Sequence, residues 1–232
     1  DKLWCEVIDN TTSRGRTVRF NEDAGDNYKA IEKIGHTPLP PYIKRDAVPS
    51  DKENYQTIFA QTDGSVAAPT AGLHFTPALL KKIEKLGAKV VPVILHMGLG
   101  TFRPVEVEDL TKHRMDSEYF EIPEETAKII NKALDDKKNV FVVGTSTCRA
   151  IESSVTADGF AKPNYGWTDK FIFPPYVFRV TKKLITNFHQ PESTLMMLAA
   201  AFADYDFLMK AYKKAIKDGY RFLSYGDAML II

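Results

Sequence analysis

The sequence predicts an α/β protein: a layered domain with a largely parallel or mixed sheet flanked by helices, preceded by a short antiparallel β segment. Three observations carry this. Runs of β-branched residues, AKVVPVILH (88–96) and NVFVVG (139–144), read as buried strands. Capped amphipathic segments alternate with them and read as helices. Alternation of the two element types favours layers around a sheet with crossover connections.

In chain order, residues 3–20 alternate in patches around a turn at Thr12-Ser13-Arg14-Gly15 and read as a hairpin. DNYKAIEKIG (26–35) is a short helix with Asp26 as cap and Gly35 as stop. TPLPPYIKR (37–45) is an extended proline-rich linker. Thr76 caps a helix that has Pro77 at its first position and ends at Gly87. Pro92 is an irregularity within the strand 88–96. Helix 123–136 places Ala127, Ile130 and Leu134 on one face. Helices follow at 147–155, 192–203 and 206–218, the last closed by Gly219. YRFLSYGDAMLII ends the chain as strand, turn at Gly226-Asp227, and strand.

Composition excludes several classes. Of 232 residues, 44% are hydrophobic and 26% charged, which is no disordered chain. A net charge of +1 leaves any polyanion to a local basic face. The groups Lys81/Lys82/Lys85, Lys137/Lys138, Lys182/Lys183 and Lys210/Lys213/Lys214/Lys217 read as solvated helix ends and turns. Two cysteines, Cys5 and Cys148, make neither a disulfide framework nor a zinc knuckle, which fits a reducing, cytosolic setting. Cys148 reads as packing. The longest apolar run, 195–203, is far short of the roughly 20 residues of a membrane span, and no signal pattern opens the chain.

Chemistry is expected at the carboxyl ends of the strands. In VAAPTAGLHFTPALL (66–80), His74 follows a turn containing Thr70 and Gly72, directly before a helix. In HMGLGTFRPV (96–105), Gly98 and Gly100 permit close backbone approach, with His96, Thr101 and Arg103 beside them. This reads as a ligand loop in preference to a plain tight turn. In GTSTCRAIES (144–153), Gly144, Thr145, Ser146 and Thr147 lead into a helix. An anion-binding nest and a helix capped by Thr145 or Ser146 are equally open readings. No lysine of a P-loop is present, so no nucleoside triphosphate is implied. In TNFHQPEST (186–194), Asn187 and His189 precede another helix. Histidines at helix mouths suit neutral imidazoles, usable as general bases. One such histidine is better read as a turn cap; three (His74, His96, His189) favour a shared pocket. No spacing of metal ligands appears. Asp169 and Asp227 are candidate acids in turns, where aspartates more often cap backbone. Trp167, Phe171, Phe173, Tyr176 and Phe178 read as core ahead of a base-stacking platform. His113 and Arg114 are candidate phosphate contacts, or an exposed loop.

Several long segments, in order, resemble one family: AAPTAGLHFT, LHMGLGTFRPV, HRMDSEYFEIP, GTSTCRAIES, GWTDKFIFPPYVFRV, TNFHQPESTLMML and YRFLSYGDAMLI. The chain is similar to the S-adenosylmethionine:tRNA ribosyltransferase-isomerases of queuosine biosynthesis. The resemblance implies a tRNA-modifying enzyme that uses S-adenosylmethionine as ribosyl donor and co-substrate, with no prosthetic group or metal. The acceptor is 7-aminomethyl-7-deazaguanine at the wobble position of tRNA; epoxyqueuosine, adenine and methionine are the products. It also implies a cytoplasmic monomer with no membrane association, and an α/β domain carrying an inserted β-barrel. On that pattern residues 1–25 are the last strands of the barrel and 26–232 the catalytic α/β domain, with the family's N-terminal segment absent. His74, His96 and His189 are then candidates for base and positioning, and Asp169 or Asp227 for the acid that protonates adenine. Thr70, Gly72, Gly98, Gly100, Thr101, Gly144 to Thr147, Asn187 and Tyr225 are candidate substrate contacts. Arg103 and Arg149 are candidate carboxylate or phosphate contacts.

Overall fold

The computed structural model describes residues 3–10, 16–21 and 24–232. Strands β1 (Cys5–Asn10) and β2 (Arg16–Phe20) pair antiparallel, with an irregularity between Val7 and Asp9. The expected turn at 12–15 lies outside the described residues. Both strands are exposed along their length, except for half-buried Phe20. Helix α1 (Ala24–Ile34) begins two residues before the expected cap Asp26 and stops at Gly35, whose N–H donates to Ile31 O.

After the proline-rich linker come α2 (Asp51–Asn54), a 3₁₀ turn (Thr70–His74) and α3 (Pro77–Lys85). Thr76 Oγ1 accepts from Leu79 N at 3.1 Å, and Pro77 loses nothing at a position whose N–H has no partner in the helix. The remaining elements are β3 (Ile94–His96), β4 (Glu118–Ile122), α4 (Glu124–Asp135), β5 (Phe141–Val143), α5 (Thr145–Ser153), β6 (Asn164–Thr168), β7 (Lys183–Asn187), α6 (Thr194–Ala203), α7 (Tyr205–Lys217) and β8 (Ala228–Ile231).

Two three-stranded sheets result. One has the order β3-β4-β6 and is antiparallel throughout; the other has the order β5-β7-β8, parallel then antiparallel. The mixed reading holds, and the largely parallel one is corrected: among the described residues β5 and β7 are the one parallel pair. Parallel pairing needs a crossover, and it occurs where α5 carries the chain back between strands.

Two strand expectations also shrink. Over 88–93 no ladder forms; Pro92 has no N–H to give, and its carbonyl accepts from Thr126 Oγ1 at 2.7 Å. Val91 and Val93 still pack on the core, which is why the run is apolar. Residues 220–225 are not a strand: Leu223 takes φ 72°, and its N–H donates to Phe188 O. Helices were more legible than strands. Ser193 caps α6 and Asp204 caps α7 through side-chain oxygens. Ala127 and Ile130 of α4 are buried, and Leu134 packs beside them. Ile122, Val142, Cys148, Leu184 and Leu198 centre the core between helices and sheets.

Candidate active site

Because β5 and β7 run parallel, their carboxyl ends reach the same edge of the sheet. Gly144 follows β5 with φ 91°, donates its N–H to Ile185 O at 2.8 Å and starts α5. A strap faces this edge. Ser65 Oγ accepts from Met97 N at 2.8 Å, and Val66 N donates to Met97 O at 2.8 Å, which lays residues 68–70 across the strand ends. Tyr42 and Ser224, joined by a short hydrogen bond, close the far side. The cleft between them opens to solvent.

Its polar lining is tightly committed. Asn187 is buried; its Oδ1 accepts from Thr70 Oγ1 at 3.0 Å, and its Nδ2 donates to Leu223 O and to His74 Nε2, each at 3.3 Å. The carbonyl of Leu223 can only accept, so it fixes the amide's orientation, and His74 accepts at Nε2. His189 is buried, with Nε2 at 2.8 Å from Thr186 Oγ1 and its backbone N–H donating to the Tyr212 hydroxyl at 2.9 Å. Burial pushes its imidazole down to about 4. His189 is thus neutral at pH 7, as expected, but the cause is desolvation rather than a helix end, and it is a weak base. Thr101 Oγ1 donates to Glu118 Oε1 at 2.5 Å. The first turn of α5 opens on the cleft with Gly144 as N-cap and no side-chain cap, so the expected cap at Thr145 or Ser146 is not made. Among the described residues, no Asp, Glu, Lys or Arg lines the cleft.

The sequence candidates therefore divide. Thr70, Thr101, Gly144, Thr145, Ser146, Asn187 and His189 line the cleft. His74 is exposed and reaches it through Asn187. The shared pocket of three histidines does not form: the His96 ring packs 5.4 Å from Tyr119, and a Cβ on Gly64 would lie 2.5 Å from its Nδ1. Gly72 makes room for Thr57, whose Cγ2 would be 2.9 Å from an added Cβ. A side chain at Gly100 would overlap Asp116, the partner of Arg103 at 3.0 Å. Open space surrounds Gly98, and Thr147 is half-buried beside Gly144 but does not line the cleft. Arg149 is no free anion contact: it is buried, paired with Glu118 at 2.7 Å, and donates to the carbonyls of Lys170 and Thr168. Asp169 is exposed after β6. Asp227 accepts from the backbone N–H and guanidinium of Arg221, and these hold its carboxyl below the usual range, which unfits it as a proton donor. Tyr225 donates to Asp51 Oδ1 at 2.9 Å; burial first, then Asp51, pushes its hydroxyl up to about 12.

Sequence reasoning missed Tyr42, Ser224, Gln190 and Thr186 in the lining, and Glu118 behind it. Tyr42 stands in a proline-rich linker, where nothing in the pattern marks it. Glu118 stood inside a quoted segment, HRMDSEYFEI, as an unremarked charge.

Fold and site together define a mixed α/β protein with an uncharged cleft at the carboxyl ends of a parallel strand pair. A profile for queuosine biosynthesis proteins matches residues 2–231, and the chain belongs to that family. It is 58% identical over 230 residues to an S-adenosylmethionine:tRNA ribosyltransferase-isomerase of Chloroherpeton thalassium, covering 99% of this chain and 66% of the relative. It is 60% identical over 232 residues to the protein of the same name from Cytophaga hutchinsonii, covering 99% and 67%. The crystal structure of an S-adenosylmethionine tRNA ribosyltransferase from Thermotoga maritima matches with a TM-score of 0.57 at 30% identity, over 99% of this chain and 62% of that one. The chain thus spans about two thirds of the length of these proteins.

Proposed function

We propose that the chain acts as an S-adenosylmethionine:tRNA ribosyltransferase-isomerase. The observation that carries this is near-complete coverage of the chain, at 58% and 60% identity, by two relatives bearing that name. The cleft's chemistry agrees with it. An uncharged, mainly apolar site at strand ends suits the adenosine part of S-adenosylmethionine. The 7-aminomethyl-7-deazaguanine of a tRNA would approach from the mouth, with ribosyl transfer and rearrangement giving epoxyqueuosine and releasing adenine and methionine.

A base must take a C5′ proton made acidic by the sulfonium. His74 is the candidate: its exposed ring reaches the cleft through Asn187, whose N–H must leave Nε2 for that nitrogen to take the proton. His189 serves as a neutral hydrogen-bonding group. No further group is needed by this reading: no prosthetic group, no metal and no membrane, and a monomer in the cytoplasm. Among the described residues no cluster suited to a metal ion occurs, and no helix is long and apolar enough to cross a membrane. Residues 1–25 are proposed as closing strands of an inserted barrel and 26–232 as the catalytic domain.

The test is adenine release. The chain is incubated with S-adenosylmethionine and an anticodon stem-loop carrying 7-aminomethyl-7-deazaguanine, against an unmodified-guanine control. Release with the modified RNA alone is expected, and His74→Ala should abolish it. Equal release without RNA would point to a nucleoside hydrolase instead.

A further inference from the structure

We propose that Glu118 is a positioning residue that turns Thr101 into a fixed hydrogen-bond acceptor at the cleft, and that this acceptor reads the exocyclic amine of an adenine-type base. The inference rests on the functional reading above and adds to it which ligand group is selected, and by what. A threonine hydroxyl has one proton and two lone pairs. The proton of Thr101 goes to Glu118 Oε1 at 2.5 Å. Glu118 cannot return one: its other oxygen accepts from Arg149 Nη1 at 2.7 Å, and both side chains are nine-tenths buried. Arg149 is itself fixed by the carbonyls of Lys170 and Thr168. Thr101 lines the cleft with its hydroxyl proton already committed, so a contact its oxygen makes there is through a lone pair alone.

Thr70 is arranged in the same way. Its proton goes to Asn187 Oδ1, and that amide's orientation is set by Leu223 O. With no charged side chain in the lining among the described residues, these acceptors suit a neutral donor rather than an ammonium, which would call for a carboxylate. A sugar hydroxyl can rotate to donate or accept, so a fixed acceptor does not sort one hydroxyl from another. A purine amine is a donor that cannot reverse.

The test compares binding of S-adenosylmethionine with its 6-oxo analogue, in which the amine is replaced by a carbonyl, by calorimetry on the full chain. Wild type should favour the amino form by about 100-fold, since the oxo form sets acceptor against acceptor. Thr101→Val, which keeps shape and loses the hydroxyl, should cut that preference at least tenfold, and Thr101→Ser should restore it. Glu118→Gln gives the sharper readout. Arg149 would keep the amide oxygen, so the amide N–H₂ would face Thr101 and free its proton for the cleft, raising affinity for the oxo form. A role confined to packing would weaken both ligands alike. If Glu118→Gln does not fold by thermal melt, the Thr101 pair decides. Unchanged preference in Thr101→Val, or no preference in wild type, overturns the proposal while leaving the functional reading in place. Failure of wild type to bind either ligand overturns both.

Discussion

Among the described residues, two carboxylate-centred networks differ in how much water they see. Around α5, Arg149 pairs with Glu118 in the interior, and Glu152 accepts from the backbone N–H groups of Arg179, Val180 and Thr181 at 2.9–3.1 Å. Around the linker, Asp51 accepts from Arg45, Val48 N and Tyr225, but the Arg45 side chain is 45% exposed. The chemistry is similar and the surroundings are not. A pair removed from water is costly to break, because the surviving charge stays buried; where one member is exposed, as Arg45 is, solvent screens that side, and buried Asp51 keeps two other donors. The inner network therefore sets the wall of the cleft, and the outer one latches residues 42–51 over residues 224–225.

Breaking the inner pair should give the largest effect. Arg149→Met strands Glu118 and should cost about 3–5 kcal/mol, read from urea unfolding. Arg45→Met also leaves a buried carboxylate, Asp51, but one still held by Val48 N–H and the Tyr225 hydroxyl, so it should cost less than Arg149→Met; equal losses would erase the distinction drawn here. Next comes Glu152→Leu, which leaves three N–H groups without their acceptor and should cost about 2–3 kcal/mol.

The acid limb sharpens the contrast further. His189 is held neutral at about 4, below its unfolded value, so the unfolded chain binds more protons between about 6.5 and 4. Stability should be full above about 6.5 and fall as pH drops to 4. His189→Gln should flatten the melting temperature over that window. Asp51 acts on the same acid limb at lower pH. Its carboxyl is held well below the ordinary range, first by Arg45 and then by Val48 N–H, so its contribution is present above that range and fades as pH falls through it. The difference in melting temperature between wild type and Asp51→Asn should narrow below about pH 4, and should be smaller in high salt at neutral pH.

What could be read from the sequence follows from how local each signal is. Thr76-Pro77 announces a helix start through a bond made within three residues, so α3 was legible; α6 starts at Thr194, two residues after the expected 192, because Ser193 caps it and Glu192 takes φ 57°. Strand pairing joins residues far apart, and an apolar run such as 88–93 looks alike whether it pairs or merely packs. The same holds in the site. Thr70, Thr101, Asn187 and His189 line the cleft because the turns after β3 and β7, and the strap, carry them there. Arg149 was misread because its partner lies 31 residues away, and nothing near it in sequence reveals burial. Asp227 was misread because Arg221, six residues earlier, satisfies it.

The cleft draws its walls from residues as far apart in sequence as Tyr42 and Ser224, with the strap, β7 and α5 between them in the chain. A ligand held there binds only when those distant stretches have come together, so its binding energy is added to the stability of the assembled chain and to no smaller part. At a hundred times its dissociation constant that amounts to about 2.7 kcal/mol. Protection from proteolysis by a nucleoside should accordingly extend to cut sites in α3 and α7, although neither helix lines the cleft.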